Sequence, residues 1–249
     1  MPATSITQGP LMRFLTGLLI ISLAAPGPSS AEISSVSTFL SINAQQFLGS
    51  EYRADVATAV ELLQKRDNTS AWTKLEPVLK FCDSEASSSD ITYVSVATDE
   101  EAALFKREQP SEAHVVLIDI ACPMAYTNAA FLMEETGNPS RAADLLQRAH
   151  ALAPYLAQPL AERAYLFRVQ GDNATALATY ESALAVANKY QSSNYMRALI
   201  LRGIGFVQTE LGDLEKAKES YNRSLLIEPS NQLAKDELIY IEKISSKGR

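Results

Sequence analysis

Histidine, tryptophan and cysteine are scarce in this chain, which holds two, one and two of them among 249 residues. The scarcity removes whole classes of chemistry. No CxxC pair and no histidines at metal-ligand spacing occur, so a zinc site is excluded. His114 opens an alternating apolar stretch, and His150 stands near the end of a helical segment, where positive charge is favoured. Neither has a sequence neighbour that would make it an acid–base catalyst. A glycine-rich phosphate loop, a G-x-S-x-G elbow and an HExxH pair are all missing. Adjacent acids such as Glu100-Glu101 and Glu134-Glu135 read as solvated helix faces rather than catalytic dyads. No constellation fills the roles an active site needs, so the chain reads as a non-enzyme without cofactor or metal.

A basic excess is lacking too. With 22 Lys and Arg against 29 Asp and Glu the formal charge is −7, which argues against a nucleic-acid partner. Long apolar runs are also absent. Residues 14–25 form an apolar run that follows Arg13 and ends in 26–31, Pro-Gly-Pro-Ser-Ser-Ala. That run is too short to cross a bilayer comfortably, since a spanning helix needs about 20 residues. Its layout is that of a secretory signal, with cleavage after Ala31 or Ala25, and 1–31 is assigned to it. An uncleaved N-terminal anchor is the competing reading. No cysteine directly follows the run, so a lipid anchor is not expected. The expected product is an exported protein, in a bacterial periplasm, with no membrane span after cleavage.

What the chain does contain is a recurring pattern. It reads Gly137-Asn138…Ala142…Leu146…Ala149…Pro154, then Gly171-Asp172…Ala176…Tyr180…Ala183, then Gly212-Asp213…Ala217…Tyr221…Ser224…Pro229. Each glycine suits the end of a first helix, where positive φ closes the turn. The Asn or Asp after it suits the start of a second helix. The alanines allow close helix approach, the large residues fill the space between hairpins, and the prolines stop the second helix. The first two glycines are 34 residues apart and the next two 41. With these residues at this spacing the segment resembles tetratricopeptide (TPR) repeats, whose unit is a helix–turn–helix of about 34 residues. The resemblance implies a mainly α fold: an α-solenoid of stacked hairpins that bury one another's apolar faces. Three repeats are assigned to 123–231, as 123–156, 157–190 and 198–231.

The flanks depart from the pattern. Residues 32–82 read as N-terminal helices. They hold a short irregular one over 32–49 and a degenerate TPR-like hairpin, whose first helix over 51–66 buries Tyr52, Val56, Ala59, Val60 and Leu63. Its second helix runs over 71–81 with Ala71, Leu75 and Val78 in the packing positions, and Arg66 stands where the glycine should be. Residues 83–122 form an insert. Two alternating β-branched stretches, 91–97 and 114–120, enclose a short helix opened by a Thr98–Glu101 capping box. Such a strand–helix–strand unit is expected to be a right-handed crossover with parallel strands. Cys82 and Cys122 flank it, and in an exported protein the pair implies a disulfide, with two buried thiols as the alternative. The seven additional residues around 189–197 equal two helical turns, so helices can lengthen there and project Tyr190 and Tyr195 as a lip. Residues 232–249 hold a capping helix and tail, with Leu233, Leu238, Ile239, Ile241 and Ile244 inward.

The TPR resemblance further implies that a protein or peptide partner occupies a concave groove lined by each repeat's first helix. Carried over by phase, the groove residues are Thr127, Phe131 and Glu134, then Ala161, Glu162, Tyr165 and Arg168, then Leu199, Arg202, Phe206 and Thr209. Aromatic and arginine side chains are the usual anchors of partners. Phe131, Tyr165 and Phe206 can equally serve to pack against a neighbouring element. The groove reading expects Ala at Tyr165 and Arg202 to abolish partner capture without loss of thermal stability. The subset of TPR proteins that clamps a peptide carboxylate presents Lys and Asn at set positions. Here Thr127, Phe131 and Glu162 replace them, so that clamp is absent. An exported adaptor or assembly factor is the leading functional reading. An immunity protein that blocks a basic periplasmic toxin is the second. An enzyme or small-ligand domain built on the insert is the third, and a deep polar pocket at the strand ends would favour it.

Overall fold

The structure, a computed structural model, describes residues 47–85, 91–108 and 114–247. The signal-like segment and most of the helix expected over 32–49 lie outside them. The described residues form ten α-helices and a two-stranded sheet. Arg53–Gln64 (α1) and Asn68–Glu85 (α2) make a first hairpin. Thr92–Val94 (β1), Asp99–Glu108 (α3) and Val115–Leu117 (β2) make the insert. Three further hairpins follow: Ala121–Glu135 (α4) with Pro139–Leu152 (α5), Gln158–Val169 (α6) with Asn173–Lys189 (α7), and Arg197–Glu210 (α8) with Leu214–Ile227 (α9). Gln232–Lys247 (α10) packs on α9. The architecture is a helical-repeat solenoid with a small parallel sheet.

Local chemistry places each turn. Gly137, Gly171 and Gly212 take φ of 76°, 82° and 82°, a region that side-chain-bearing residues avoid. Arg66 takes φ 60° at the equivalent corner of α1–α2, so the first hairpin keeps the geometry without the glycine. Asn138 and Asp172 then cap α5 and α7, accepting hydrogen bonds from Arg141 N (3.2 Å) and Thr175 N (3.1 Å). The large residues between hairpins are fully buried, with Leu146, Tyr180 and Tyr221 at most 2% exposed. Gly203 on α8 makes room for one of them: a Cβ there would stand 2.6 Å from the Tyr180 ring.

The insert is shorter in strand than its sequence suggests. Only three residues of each alternating stretch pair, in parallel register Thr92↔Val115 to Val94↔Leu117, and Leu48 adds a bridge to Ile118. Beyond that register the chain leaves the ladder to enter helices α3 and α4, so the remaining apolar residues pack rather than pair. Val94 and Val96 cluster with Tyr155, joined by Phe105 of α3 and by Tyr190. The sheet leans on the helices, as two strands cannot stand alone.

The additional residues lengthen α7 by three, to 17 against 14 in α5 and α9, and go no further as α-helix. Gln191–Met196 form a 3₁₀ segment instead. Its Ser193 hydroxyl donates to Tyr155 O (2.8 Å) and accepts from Ala157 N (2.9 Å), while the Ser192 hydroxyl donates to Glu101 Oε1 (2.5 Å). Glu101 Oε2 in turn accepts from Ala97 N (2.8 Å). The segment therefore binds the insert to the start of the α6–α7 hairpin. Tyr190 lies edge-on to Tyr155 (4.8 Å between centroids) rather than forming a lip, while Tyr195 stays exposed.

The N-terminal hairpin is tied to α4 by stronger links. Cys82 of α2 is disulfide-bonded to Cys122 of α4, with Cα atoms 5.7 Å apart. Arg53 of α1 donates from Nε (2.8 Å) and Nη2 (2.6 Å) to Asp119 Oδ2, a fully buried carboxylate just before α4. At the other end, Ala234 and Ile241 of α10 are buried and Leu238 packs with them, seven residues spanning two turns of one face. Ile239 falls off that face and is 63% exposed, which corrects its expected inward position. Leu233 and Ile244 are half-buried. His150 also differs from expectation. Burial and the neighbouring Arg163 lower its pKa, so the imidazole is held neutral rather than charged at its helix end.

Candidate functional site: the face of the first helices

Helices α4, α6 and α8 lie side by side along one face, each touching the next. The sequence places the candidate residues at i, i+4, i+7 or i, i+3, i+6 on each helix, so they share that face. Thr127, Phe131 and Glu134 come from α4. Glu162, Tyr165 and Arg168 come from α6, and Arg202, Phe206 and Thr209 from α8.

The middle of the face is occupied by a stack. The Arg168 guanidinium lies 4.8 Å from the Tyr165 ring centroid and 4.6 Å from that of Phe206, so one cation sits against aromatics from two adjacent hairpins. Such contacts hold a planar guanidinium in place with about 0.5–2 kcal/mol each. Arg168 and Phe206 are half-buried, whereas Tyr165 is only 3% exposed and is a packing residue as much as a surface one. Its replacement by Ala would therefore remove core volume. Arg202 is likewise buried and is paired with Glu228 at the end of α9. Its charge is spent inside the α8–α9 hairpin, so Arg202→Ala would remove a partly buried ion pair and leave Glu228 only its contact with Asn231. The expectation that Ala at these two positions spares stability is corrected on these grounds.

Beside the stack lies an acidic pair, Glu162 and Glu134. Glu162 is 6% exposed and its Oε1 is buried without a hydrogen-bond partner among the described residues. Burial, then the charge of Glu134, pushes the Glu162 carboxyl up to about 8. Burial and Glu135 push Glu134 up to about 7, against an opposing pull from Arg168. Between these acids is a pit of about 10 Å³, lined by both and by Thr127, Phe131, Leu146 and Leu166. Thr127 spends its hydroxyl proton on Pro123 O (2.8 Å). Further along, Glu237 of α10 is also buried, and burial with Glu210 and Asp236 raises it to about 7.

A second hollow, of about 450 Å³, opens beside β1 and is lined by Asp83, Ile91, Tyr93, Tyr126, Arg148, Ala151 and Leu152. Its polar groups already serve one another. Tyr126 donates to Asp83 Oδ1 (2.5 Å) and Arg148 pairs with the same oxygen (2.6 Å). At the opposite strand ends Val94 and Val96 meet Tyr155 in solid apolar contact. No group of three or more metal-ligating side chains occurs among the described residues, and no helix among them is long and apolar enough to cross a membrane.

The sequence places both carboxylates on this face but does not give their depth. Nothing in the spacing distinguishes a buried acid from a surface one on a helix that is covered on most sides. Glu237 gives no signal of its own, because the period of the capping helix marks only its apolar residues.

Residues 155–227 match the tetratricopeptide repeat family. The matched span takes in α6 to α9, so that stretch carries TPR repeats. Solved structures of similar shape include the first TPR of Spaghetti (RPAP3) bound to an HSP90 peptide, SRMEEVD. It is 23% identical, covers 51% of this chain and 96% of its own, and has a TM-score of 0.45. The first TPR domain of the human RPAP3 protein gives 23%, 52%, 97% and 0.45. The APC/C hetero-tetramer Cut9–Hcn1 gives 16%, 86%, 40% and 0.46. No curated protein matches the chain.

Proposed function

We propose that this chain is an exported, non-catalytic TPR protein that holds a segment of a protein partner along the face of α4, α6 and α8, as an adaptor or assembly factor in a bacterial periplasm. The observation that carries this reading is the Tyr165–Arg168–Phe206 stack, which bridges two hairpins and stays half-open to solvent. An arginine held between rings has already lost its rotamer freedom, so little more is lost when a partner lands on it. Aromatic and arginine groups set this way are the kind that dominate interface energies. The compartment rests on two supports, the Cys82–Cys122 bond and the signal-like run at 14–25. Disulfides persist outside the reducing cytosol.

Affinity capture from the native envelope, followed by mass spectrometry, tests the reading. The wild-type chain should retain a defined partner, and Arg168→Ala and Phe206→Ala should each weaken that capture at least tenfold. Both side chains are half-buried, so melting temperature should stay within a few degrees. Undiminished capture by both variants would move the site off this face.

A further inference from the structure

We infer that the pit between Glu134 and Glu162 is a receptor for the ammonium group of a lysine side chain of the partner. The inference rests on the groove reading and names the chemistry that the groove takes up.

The geometry narrows the ligand step by step. Glu162 is 94% buried, and its Oε1 has no partner among the described residues, although an unpaired buried carboxylate oxygen is costly. A cation reaching the floor would remove that cost. The acceptors number three: the Glu162 carboxylate, the Glu134 carboxylate and the free lone pairs of Thr127 Oγ1, whose proton is committed to Pro123. A primary ammonium carries three N–H donors and no acceptor, which matches that set. Size decides against the alternatives. The pit of about 10 Å³ holds roughly one water-sized group, the size of an ammonium and too small for a planar guanidinium. Two carboxylates are too few for a protein-held Ca²⁺ or Mg²⁺, which takes six or more oxygens, and no His or Cys lines the pit to complete a zinc site. The walls favour a side chain over a chain terminus. Phe131, Leu146 and Leu166 are apolar and close around a single group, so the ammonium must arrive on a thin unbranched stem, whereas an amino terminus would press its peptide group against them. The approach is graded, because Glu134 is half-exposed at the rim while Glu162 lies at the floor.

Electrostatics agree with that geometry. Burial raises both carboxyls, with Glu135 adding to the rise at Glu134 and Glu134 to that at Glu162, so the pit retains a proton near neutral pH. The other ionisable groups facing the pair are Glu135 on α4, Tyr165 and Arg168 on α6, Tyr180 on α7 and Tyr195 beyond it. The tyrosines are neutral at physiological pH, and α5 contributes only Ala142 and Leu146. An incoming ammonium displaces the retained proton, so affinity should rise as pH goes from about 6 to 8.

The test is an NMR titration of the full-length, disulfide-bonded chain with four small probes. They are Nα-acetyl-lysine methylamide, its norleucine and arginine counterparts, and glycinamide. The lysine probe should produce saturable shifts at the Glu134 and Glu162 carboxyl carbons, with an affinity at least tenfold above the other three and rising with pH. Glu162→Gln should lose that affinity at least tenfold while keeping a cooperative melt. If it fails to fold, Glu134→Gln at the rim takes its place. Absence of lysine shifts, equal shifts with norleucine, or tighter binding of arginine or glycinamide would overturn the inference. Because no partner enters this titration, its failure leaves partner capture through Arg168 and Phe206 intact, and failed capture leaves lysine binding readable.

Discussion

The hairpin α1–α2 and the hairpin α8–α9 reach the same architecture by different means. In the later one the signals are local. Gly212 closes the corner at positive φ, and Tyr221 fills the gap to its neighbour beside Gly205. In the first one Arg66 holds the corner at φ 60° and Leu75 takes the filling position, sharing a cluster with Ala125 and Ala129 of α4. What the first hairpin lacks in local encoding it gains in long-range ties: Cys82–Cys122 and the buried Arg53–Asp119 pair both fasten it to the start of α4. In a solenoid each unit is stabilised by its own hairpin and by its neighbours. Here the balance shifts from hairpin to neighbour at the end where the insert interrupts the array.

The largest test of that contrast is removal of the disulfide. Replacing Cys82 and Cys122 together by Ala should cost about 3–4 kcal/mol in urea unfolding, from the chain entropy of a closed loop of about 40 residues. The loss should be local as well. Amide exchange should quicken in α1 and α2 and stay unchanged in α8 and α9. Uniform acceleration through all helices would mean that the first hairpin is no more dependent on its ties than the others. Thiol counting without reductant should find no free thiol in the wild-type chain.

Gly203→Ala carries the same contrast into the later hairpins. Outside a crowded contact the change would favour a helix by about 1 kcal/mol. Its new Cβ would stand 2.6 Å from the fully buried Tyr180 ring, so the net effect should be a loss of about 1–3 kcal/mol. Coupling with Tyr180→Leu, the residue type the first hairpin uses at that place, should recover part of it. A double-mutant cycle with no coupling would detach the glycine from the tyrosine.

These residues also mark how far the chain can be read without coordinates. The repeat pattern was legible because its glycines, alanines and tyrosines act within one hairpin or on the next, where spacing is informative. The parallel strands were legible from alternation, but their length was not, since Val96 and Ile120 leave the ladder to pack in the helical core. Before α8, helix period accounts for the longer α7 but not for the 3₁₀ segment after it, because periodicity cannot see Ser192 and Ser193 reaching back to Glu101 and Tyr155. Those bonds join residues up to 91 positions apart. The face of α4, α6 and α8 was legible in membership and opaque in depth: Glu162 and Arg202 stand in phase with Arg168, yet both are buried and only Arg168 stays half-open. Burial of one helix by its neighbours is decided by stacking, which no single segment encodes.

The smallest effect separates backbone from packing. The Arg66 side chain is exposed, and the open space around Gly212 would admit a Cβ. Exchanging residue types at the two corners therefore changes little but the cost of positive φ. Arg66→Gly should stabilise the chain by about 0.5–1 kcal/mol, because relief of the left-handed strain outweighs the added freedom of the unfolded glycine. Gly212→Arg should destabilise by a similar amount, with φ of 82° and no steric clash to add to it. For a chain of this size each change moves the melting temperature by about 2–4 °C per kcal/mol, in opposite directions. The double variant should return close to the wild-type value, since the corners belong to hairpins that share no contact. If Arg66→Gly lowers the melting temperature instead, the first hairpin depends on Arg66 for more than its corner, and the likeness between the two hairpins ends at the backbone.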